Sequence, residues 1–342
     1  MSYVAGALGW AIVGIGRHAD RFMAPAIKGA SGARLVAVYS RDQGRAGAFA
    51  QRHGAPYSYT SLEELLANPE VQAVCIASPN ALHAPQTIAA ARAGKHVLCE
   101  KPMATTVEDA RAMVQACAAG GVKLGVGFHL RHHPAHIEAQ RLIASGVLGE
   151  ITLAWAQWCP TFGIPAPRLG LRIWWDDLAL AGGGVVVGWG GHVLDLLRFL
   201  LRQEVVEVAA FTDASEQHPL ERQATILLRF GGGVQGLVAT SLKAPAGRND
   251  VAVHGTLGSL FSLGAETAHF RRELALVREA VANRTEYLQG DMYQAEVESF
   301  CQAVLTDSEP SASGLDGLRV VEITQAIMDS HRQRRAVRLA SP

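Results

Sequence analysis

The amino-acid sequence predicts an α/β domain with a parallel, doubly wound sheet, followed by an α+β domain with a mostly antiparallel, open-faced sheet. Three observations predict this class. The chain has 342 residues, of which 49% are apolar and 18% are charged, which is enough for two domains with sizeable cores. Residues 1–128 alternate short apolar runs with helical patterns. From about Glu150, apolar runs follow one another with turns between them.

The first domain is predicted over residues 1–128. Its apolar runs are, in order, GWAIVGIG, ARLVAVYS, VQAVCIAS, KHVLCEKP and VKLGVGF, with helical patterns such as DQGRAGAFAQRHG and TTVEDARAMVQACAAGG between them. The segment SLEELLANPE opens with Ser61 and Glu64 in the spacing of a helix capping box. Strands separated by helices pair in parallel through right-handed crossovers, so one parallel sheet covered by helices is expected.

The second domain, residues 129–342, is predicted to bind substrate and to form oligomer contacts. Its strands are GEITLAWAQW, VVEVAAFTDA, ATILLRF, GVQGLVATSL, DVAVHGTLGSLFSL and TAHFRREL, often with glycine-rich turns between them. The helix His192–Leu201 is expected on one face of this sheet. Two late helical runs, YQAEVESFCQAVL and DGLRVVEITQAIMDSHRQ, close the chain, either in this domain or packed back on the first one.

Charge and cysteine content exclude several classes of protein. Lys plus Arg and Asp plus Glu both total 31, so no net charge attracts nucleic acid or an anionic membrane. Five cysteines without a C-x-x-C spacing indicate neither a disulfide framework nor a zinc site. The apolar N-terminus lacks a basic n-region and runs into a glycine turn, so a cytoplasmic protein is expected.

One uncharged stretch, Leu178 to Leu194, could be a membrane span, a core helix or the wall of an active site. It holds 17 residues, six of them glycine, whereas a spanning helix needs about 20 mostly apolar residues. We therefore expect no membrane segment here, and the choice is between a core helix and a site wall.

The glycine turn after the first strand is the first candidate binding site. Gly14 and Gly16 follow the strand, and Ala19 occupies the third small position, which suits a tight turn, close backbone approach to a pyrophosphate and helix packing. Arg17 and His18 complete the turn. At the start of an alternating domain the pattern predicts a Rossmann dinucleotide site, although an ordinary strand–helix turn is the alternative.

The end of the second strand indicates which dinucleotide is preferred. NAD enzymes usually carry Asp or Glu there to hold the ribose 2′-hydroxyl. This chain instead has Ser40 and Arg41, with Arg45 one turn later, and Asp42 is interpreted as a helix cap. A hydroxyl and guanidinium groups suit a 2′-phosphate, so NADP(H) is favoured and NAD(H) is the alternative. The arginines could also simply solvate a helix start.

Further motifs follow the later strands and continue to the end of the chain. They are IASPNALHAPQ, HVLCEKPMATTVEDA, the glycine run before His192 and Asp195, HGTLGS, and the closing Y…E…F…SASGLDGLRVVEI. In this combination, and over nearly its whole length, the chain resembles the glucose–fructose oxidoreductase, inositol dehydrogenase and rhizopine-catabolism (Gfo/Idh/MocA) family. Within it, HVLCEKPMATTVEDARAMV and HLRHHPAH are most similar to the branch of the 1,5-anhydro-D-fructose reductases.

The resemblance implies a hydride-transfer site and names its residues. Lys101 resembles the lysine that holds the reacting oxygen, and His192 resembles the acid/base, a role that suits a group titrating near neutrality. Asp195, on the same helix face, would orient the imidazole or contact a substrate hydroxyl. Outside this context, Lys101 would be interpreted as a surface lysine and His192 as a buried structural histidine. Together with the residues named above, the cofactor contacts implied are Ser78, Asn80, His83, Glu100, Lys101 and Arg131.

Two positions depart from the family pattern. Family members usually have an Asp four residues before the histidine, where this chain has Gly188. Many relatives also have Trp-Arg before the glycine run, where this chain has Trp174 and Trp175. Without that Asp, a less hydroxylated substrate is expected, in a more apolar pocket that includes Trp174, Trp175 and Trp189.

Metal binding and assembly complete the expectations. Histidines 129, 132, 133 and 136 are close in sequence, but without Cys or carboxylate partners they are weak evidence for a metal, and none is expected. The apolar strands ATILLRF, GVQGLVATSL and VAVHGTL suit the homodimer or homotetramer contact that relatives make through the second domain's sheet. Apart from such copies, a small-molecule substrate is the only partner expected.

Three functional hypotheses remain. The first is an NADP(H)-dependent oxidoreductase acting on a sugar, a sugar-derived ketone or a related cyclic alcohol. The second is an NADP(H)-binding sensor or regulatory protein with little catalysis, because Gly188 replaces the family Asp. The third, a dihydrodiol-type dehydrogenase, shares the chemistry of the first and differs in pocket polarity. Retention of both Lys101 and His192 favours an enzyme.

Overall fold

The computed structural model describes residues 7–159, 174–244, 248–264, 271–287 and 291–340, and the chain divides into two units. Unit 1 comprises Met1–His129 and Asp291–Leu318, and unit 2 comprises Leu130–Gly290 and Arg319–Pro342. The first change of unit, after His129, lies beside the predicted boundary between residues 128 and 129. The segment Asp291–Leu318 returns to unit 1, which was one of the two placements expected for the late helices.

Unit 1 contains the predicted parallel, doubly wound sheet, which is confirmed. Its six strands lie in the order β3-β2-β1-β4-β5-β6, and every pair is parallel. The three-residue β3 was not predicted. The strands are β1 (Leu8–Val13), β2 (Ala33–Tyr39), β3 (Tyr57–Tyr59), β4 (Ala73–Ile76), β5 (His96–Cys99) and β6 (Leu124–Val126).

Three helices of this part of the chain begin at side-chain caps that the sequence makes recognisable. Asp42 accepts a hydrogen bond from Arg45 N, as predicted for a cap, and Ser61 and Thr106 accept from the third residue after them. A π-helical turn, Ala19–Met23, precedes the first α-helix. The α-helices are α1 (Ala24–Gly29), α2 (Gln43–His53), α3 (Leu62–Ala67), α4 (His83–Arg92) and α5 (Val107–Ala119).

Unit 2 contains the predicted, mostly antiparallel sheet, which is also confirmed. The strands are β7 (Ile151–Trp158), β8 (Val205–Thr212), β9 (Gln223–Phe230), β10 (Gln235–Ser241), β11 (Val251–Gly255), β12 (Gly258–Gly264), β13 (Arg272–Arg278), β14 (Val281–Tyr287) and β15 (Val337–Arg338). Their order is β14-β13-β12-β11-β7-β10-β9-β8-β15, and of the described pairs only β7 with β10 is parallel. The first residues of the predicted strand TAHFRREL lie outside the described residues.

One face of this sheet is open. Along β9 the residues alternate strictly between exposed and buried, as a sheet with one covered face requires. Large apolar side chains on the strands are exposed, among them Leu153, Phe211 and Leu227. The open face is the one on which oligomer contacts were predicted, and that assembly stays a prediction.

The apolar stretch that contains His192, Leu178–Leu201, is mostly helical and buried in unit 2. It contains α7 (Leu178–Ala181), a π-helical turn (Val186–Gly190) and α8 (Gly191–Leu201), and α6 (Pro134–Ala144) precedes it in the chain. Leu178–Leu201 has a mean hydropathy of 1.4 and passes a membrane-span test by length and composition, alone among the described residues. The stretch is mostly buried, as core helices of folded domains are, and it is interrupted at Gly182, whose φ is +77°.

The late helices complete the two units. In unit 1, α9 (Met292–Leu305) packs Phe300 against Trp10 of β1, with ring centroids 5.4 Å apart, in the main apolar cluster. The last helix, α10 (Gly314–Gln333), begins in unit 1 and continues into unit 2.

Candidate active site

The predicted site residues fall into two groups, one in each unit. In unit 1 they follow β1, β2, β4 and β5, at the carboxyl edge where doubly wound sheets bind nucleotides. This group contains Gly14, Gly16, Arg17, His18, Ser40, Arg41, Arg45, Ser78, Asn80, His83, Glu100 and Lys101. The group in unit 2 contains Arg131, Trp174, Trp175, Gly188, Trp189, His192 and Asp195.

The turn after β1 offers the two glycine environments that a dinucleotide site needs. Gly14 has a φ of +96°, and a Cβ there would lie 2.6 Å from Ser78 N, so only glycine fits. A Cβ on Gly16, in contrast, would meet no atom within 4 Å. The chain then enters the helical stretch Ala19–Gly29, and a helix N-terminus favours an anion. These residues therefore fit a dinucleotide pyrophosphate.

The end of β2 presents two cations. The Ser40 hydroxyl accepts the N–H of Asp42 at 3.3 Å, and the Asp42 carboxylate is used as the cap of α2. Arg41 and Arg45 are exposed. The nearby carboxylate is thus engaged in a helix cap, and two guanidinium groups lie at the surface of this corner.

The loop after β4 is fixed by side chains predicted to contact the cofactor. The Ser78 hydroxyl donates to Gln86 Oε1 at 2.6 Å. The His83 ring is fully buried, with Nδ1 2.8 Å from Pro102 O and Nε2 2.9 Å from Ser78 O. His83 thus ties the Ser78 loop to the segment after β5, and both bonds would have to break before its nitrogens met a nucleotide. Asn80 lies in the short turn between them and is buried.

Glu100 and His18 form a short polar contact in this group. His18 Nε2 donates to Glu100 Oε1 at 2.6 Å, and Glu100 Oε2 accepts the main-chain N–H of Lys101 at 3.3 Å. Burial acts to raise the pKa of Glu100, but the charge and hydrogen bond of His18, together with Lys101 and His129, lower it to about 2. The Glu100 side chain is therefore a carboxylate throughout the physiological range.

Lys101 is the candidate group for a reacting oxygen. Burial lowers the pKa of Lys101 to about 8, and the adjacent Glu100 carboxylate opposes that shift. An ammonium group with this pKa is close to titrating at neutral pH, as groups that act on a substrate oxygen often are.

Aromatic rings that the sequence did not single out pack around His18. Its ring lies 5.3 Å from Phe22 and 5.5 Å from Tyr293, and Tyr293 in turn lies 4.5 Å from His129, all between centroids. Tyr293 belongs to α9, far along the chain. The only sequence signal for it was the tyrosine of the closing Y…E…F pattern.

In unit 2, the catalytic candidate His192 lies in α8 against an aromatic ring. The imidazole is stacked on Trp158 of β7, with centroids 5.1 Å apart and an interplanar angle of 23°. His192 is 5% exposed. Trp158 is the last residue of an ordinary strand, so nothing in the sequence distinguished it as a neighbour of the histidine.

Asp195 and Arg131 form a buried ion pair that was not predicted. Arg131 Nε donates to Asp195 Oδ2 at 2.8 Å and Nη2 donates to Oδ1 at 2.6 Å, with Asp195 only 1% exposed. Arg198 extends the network, 3.5 Å from Asp195 Oδ1 and bonded to Glu204 at 2.6 and 2.8 Å. Asp195 as a substrate contact and Arg131 as a cofactor contact stay predictions. The geometry gives both residues a role in fixing α8.

Three tryptophans form a continuous aromatic surface, here called the tryptophan wall. Trp174 and Trp175 are stacked with centroids 4.2 Å apart, and Trp175 lies 6.0 Å from Trp189. Trp175 is 40% exposed. A Cβ on Gly188 would lie 3.7 Å from Trp175 Cζ3, so the indole occupies the space beside the position without a side chain. The three tryptophans predicted to line a substrate pocket are thus in contact.

The histidine cluster is explained by local packing. His133 caps α6 by accepting the N–H of Ala135, and His136 Nδ1 donates to Leu130 O. Burial and the neighbouring Arg131 lower the pKa of His132 to about 4. Within the described ranges, no group of three or more His, Cys, Asp or Glu residues is arranged to hold a metal ion.

Known proteins resemble both units. Residues 8–128 match the family described as "Oxidoreductase family, NAD-binding Rossmann fold", and residues 136–261 match the "GFO/IDH/MocA C-terminal domain". The 1,5-anhydro-D-fructose reductase of Ensifer adhaerens is 33% identical over 90% of this chain and 92% of its own. The D-xylose 1-dehydrogenase (NADP(+)) 2 of Haloferax volcanii is 31% identical over 98% of this chain and 99% of its own.

Among solved structures, an aldose–aldose oxidoreductase from Caulobacter crescentus, complexed with glycerol, superimposes with a TM-score of 0.89. It is 31% identical and covers 97% of this chain and 100% of its own. The similarity therefore extends over both units.

The two glycines of the β1 turn are expected to respond differently to alanine. Gly14→Ala forces a positive φ and a backbone clash, so the free energy of unfolding should fall by about 2 kcal/mol. Gly16→Ala meets open space, so stability should change by less than about 0.5 kcal/mol, while dinucleotide affinity falls by about tenfold. Denaturant unfolding and fluorescence titration with NADPH measure the two effects. Unchanged affinity in the folded Gly16→Ala variant would mean that the turn holds no pyrophosphate.

Proposed function

This chain belongs to the GFO/IDH/MocA family of oxidoreductases, and on that basis we propose that it is an NADP(H)-dependent enzyme acting on sugars or related rings. Specifically, a hydride passes between nicotinamide and the carbinol or carbonyl carbon of a sugar, a sugar-derived ketone or a related cyclic alcohol. The observation that carries the proposal is Lys101, an ammonium group at the carboxyl edge of the sheet whose pKa burial lowers to about 8. The names of the relatives, a sugar reductase and two sugar oxidoreductases, support the substrate class.

In this proposal, Lys101 interacts with the reacting oxygen and His192 transfers the proton. In reduction, the Lys101 ammonium donates a hydrogen bond to the carbonyl oxygen and stabilises the negative charge that develops there, while protonated His192 gives that oxygen its proton. In oxidation, neutral His192 takes the hydroxyl proton. The bound cofactor supplies or accepts the hydride.

The choice of NADP(H) rests on the end of β2. Two exposed guanidinium groups, Arg41 and Arg45, and the Ser40 hydroxyl can meet a 2′-phosphate, whereas the Asp42 carboxylate is engaged in capping α2. The relative from Haloferax volcanii is named for NADP(+). NAD(H) remains the alternative.

The tryptophan wall is proposed to bind the apolar face of the substrate ring. Exposed indoles bury large apolar area when a ring stacks on them. Gly188, which bears no side chain, removes a contact that a hydroxyl would use, so the expected substrate is less hydroxylated on that side. The same feature underlies the competing proposal of an NADP(H) sensor with little catalysis. A protein that binds NADPH but turns over no sugar, keto-sugar or cyclic dihydrodiol would favour the sensor.

Arg41 is expected to discriminate between the two dinucleotides. Arg41→Ala removes a charge-assisted hydrogen bond to the 2′-phosphate, so the Kd for NADPH should rise by about tenfold or more, while that for NADH changes by less than about twofold. Fluorescence titration measures both constants. Arg92→Ala, which removes an exposed arginine elsewhere in unit 1, is the matched control and should alter neither. Equal weakening of both nucleotides by Arg41→Ala would count against the 2′-phosphate contact.

The pH dependence of ketone reduction is expected to reflect the loss of the proton from the Lys101 ammonium group. Below its pKa of about 8 the ammonium can donate to the carbonyl oxygen, and above it the proton is lost, so Lys101 should contribute a decline in kcat/KM as pH rises through about 8, in addition to the decline that loss of the His192 proton causes. In Lys101→Arg the Lys101 decline should move to higher pH, because guanidinium stays protonated. Lys101→Met should lower kcat by about a hundredfold or more. A decline at the same pH in Lys101→Arg would assign it to another group.

Substitutions at Trp175 and Asp195 should separate substrate binding from stability. Trp175→Ala removes an exposed stacking surface, so the KM for ring substrates should rise by about tenfold with little change in unfolding free energy.

Asp195→Asn breaks a buried ion pair, so the free energy of unfolding should fall by about 3 kcal/mol. Steady-state kinetics and denaturant unfolding provide the two readouts. An Asp195→Asn variant of wild-type stability with a raised KM would instead make Asp195 a substrate ligand.

A further inference from the structure

The buried carboxylate of Glu221 accepts hydrogen bonds from the main chain at the end of the glycine run before His192. Gly184 N donates to both carboxylate oxygens of Glu221, at 3.0 Å each, and Val186 N donates to Oε1 at 2.9 Å. Between them, Val185 N donates to the main-chain oxygen of Glu221 at 2.8 Å. Glu221 is 1% exposed. Three successive N–H groups are therefore bound to one residue from a different segment.

Gly184 is required by that contact, and the two glycines before it are required by their own surroundings. Gly182 ends α7 with a φ of +77°. A Cβ on Gly183 would lie 2.5 Å from Val187 Cγ2, and one on Gly184 would lie 2.0 Å from the main-chain oxygen of Glu221. Any side chain at position 184 would displace Glu221, so the run of glycines and the carboxylate form one structural unit.

The Glu221 carboxylate binds the start of the helical stretch that carries the candidate acid/base. The stretch Val186–Leu201 begins with the π-helical turn, and Val185, the residue before it, provides no side-chain cap. The first N–H groups of a helix need acceptors from elsewhere, and an anionic acceptor is favourable there. Trp189 and His192 follow in the next turns, so their position depends on where this end is held.

We propose that Glu221 is a positioning residue for proton transfer, which acts by fixing the start of the helix that carries Trp189 and His192. The inference rests on the proposed function, because it assigns Glu221 to the step that His192 performs. Neither a sequence motif nor a residue of the resemblance pointed to Glu221.

The surroundings of Glu221 suit a fixed acceptor. Burial raises the pKa of Glu221, the N–H donors of Val186 and Gly184 oppose that shift, and the Asp213 carboxylate adds to it. Asp213 is itself paired with Lys243 at 2.6 Å and accepts the N–H groups of Arg222 and Gln223. The residues that follow Glu221 are thus anchored independently of the helix.

The test compares Glu221→Ala, Glu221→Gln and, as a matched control, Glu216→Ala, which removes an exposed glutamate of the same loop. Glu221→Ala should lower kcat by about a hundredfold, while the Kd for NADPH changes by less than about twofold, because all but one of the residues predicted to contact the dinucleotide lie in unit 1. Hydrogen exchange of the amides in residues 184–201 should become faster. Glu216→Ala should match the wild type in every measurement.

Glu221→Gln separates positioning from a merely structural role. Its amide oxygen can still accept from Val186 N, so it should recover most of kcat and fold even if the alanine variant does not. It lacks the negative charge near the helix start, so the acid limb of the pH–rate profile for alcohol oxidation, in which His192 must be neutral, and the pKa of His192 followed by ring NMR should both move down by about half a unit.

The outcomes separate the two proposals. Wild-type kcat in Glu221→Ala, or an unshifted His192 pKa in Glu221→Gln, overturns the role of Glu221. An equal loss of kcat and NADPH affinity in Glu221→Gln overturns it as well. If the wild type turns over no substrate, the proposed function fails. The exchange and NMR measurements still decide whether Glu221 holds the helix and His192.

Discussion

Three buried carboxylates at the candidate site, Glu100, Asp195 and Glu221, are each held by a partner from a distant part of the sequence, and the site depends on this constraint. Removing a carboxylate or guanidinium from water is costly unless hydrogen bonds replace the lost solvation. Glu100 is held by His18, Asp195 by Arg131, and Glu221 by the N–H groups of Gly184 and Val186. Each pairing joins a loop or helix start to a strand end or another helix. The chemistry-bearing segments are therefore fixed by the same contacts that make burial of their charges tolerable.

The sequence predicts the fold well because the evidence for it is local. Alternation of strands and helices in residues 1–128, and turn-separated strands later, are patterns within a few residues, and both sheets follow them. Helix caps such as Asp42 are local for the same reason. The three-residue β3 carries too few residues to form a pattern, and the π-helical turns break the periodicity on which helix prediction relies.

The site is predictable only in part, because pairing between distant residues leaves no local pattern. Motifs and resemblance found Lys101, His192 and Asp195 one by one, yet nothing in the sequence indicated that Arg131 and Asp195 would share one bidentate contact. Glu221 is a lone glutamate in a loop, and Trp158 is one residue of an ordinary strand. Their importance arises from what folding brings beside them, which is the glycine run and the His192 ring.

A π-helical turn changes the direction, around the helix axis, in which the side chains that follow it point. A π turn holds about one residue more than an α turn, so it rotates everything after it by about 100° relative to an unbroken α-helix. One such turn, Ala19–Met23, follows the glycine turn of unit 1, and the other, Val186–Gly190, precedes His192 in unit 2. The direction in which the His192 face points is therefore set by a count of residues. Homologues that differ by one residue in this segment would present another face of the same helix, and could acquire a different specificity without changing any side chain of that face.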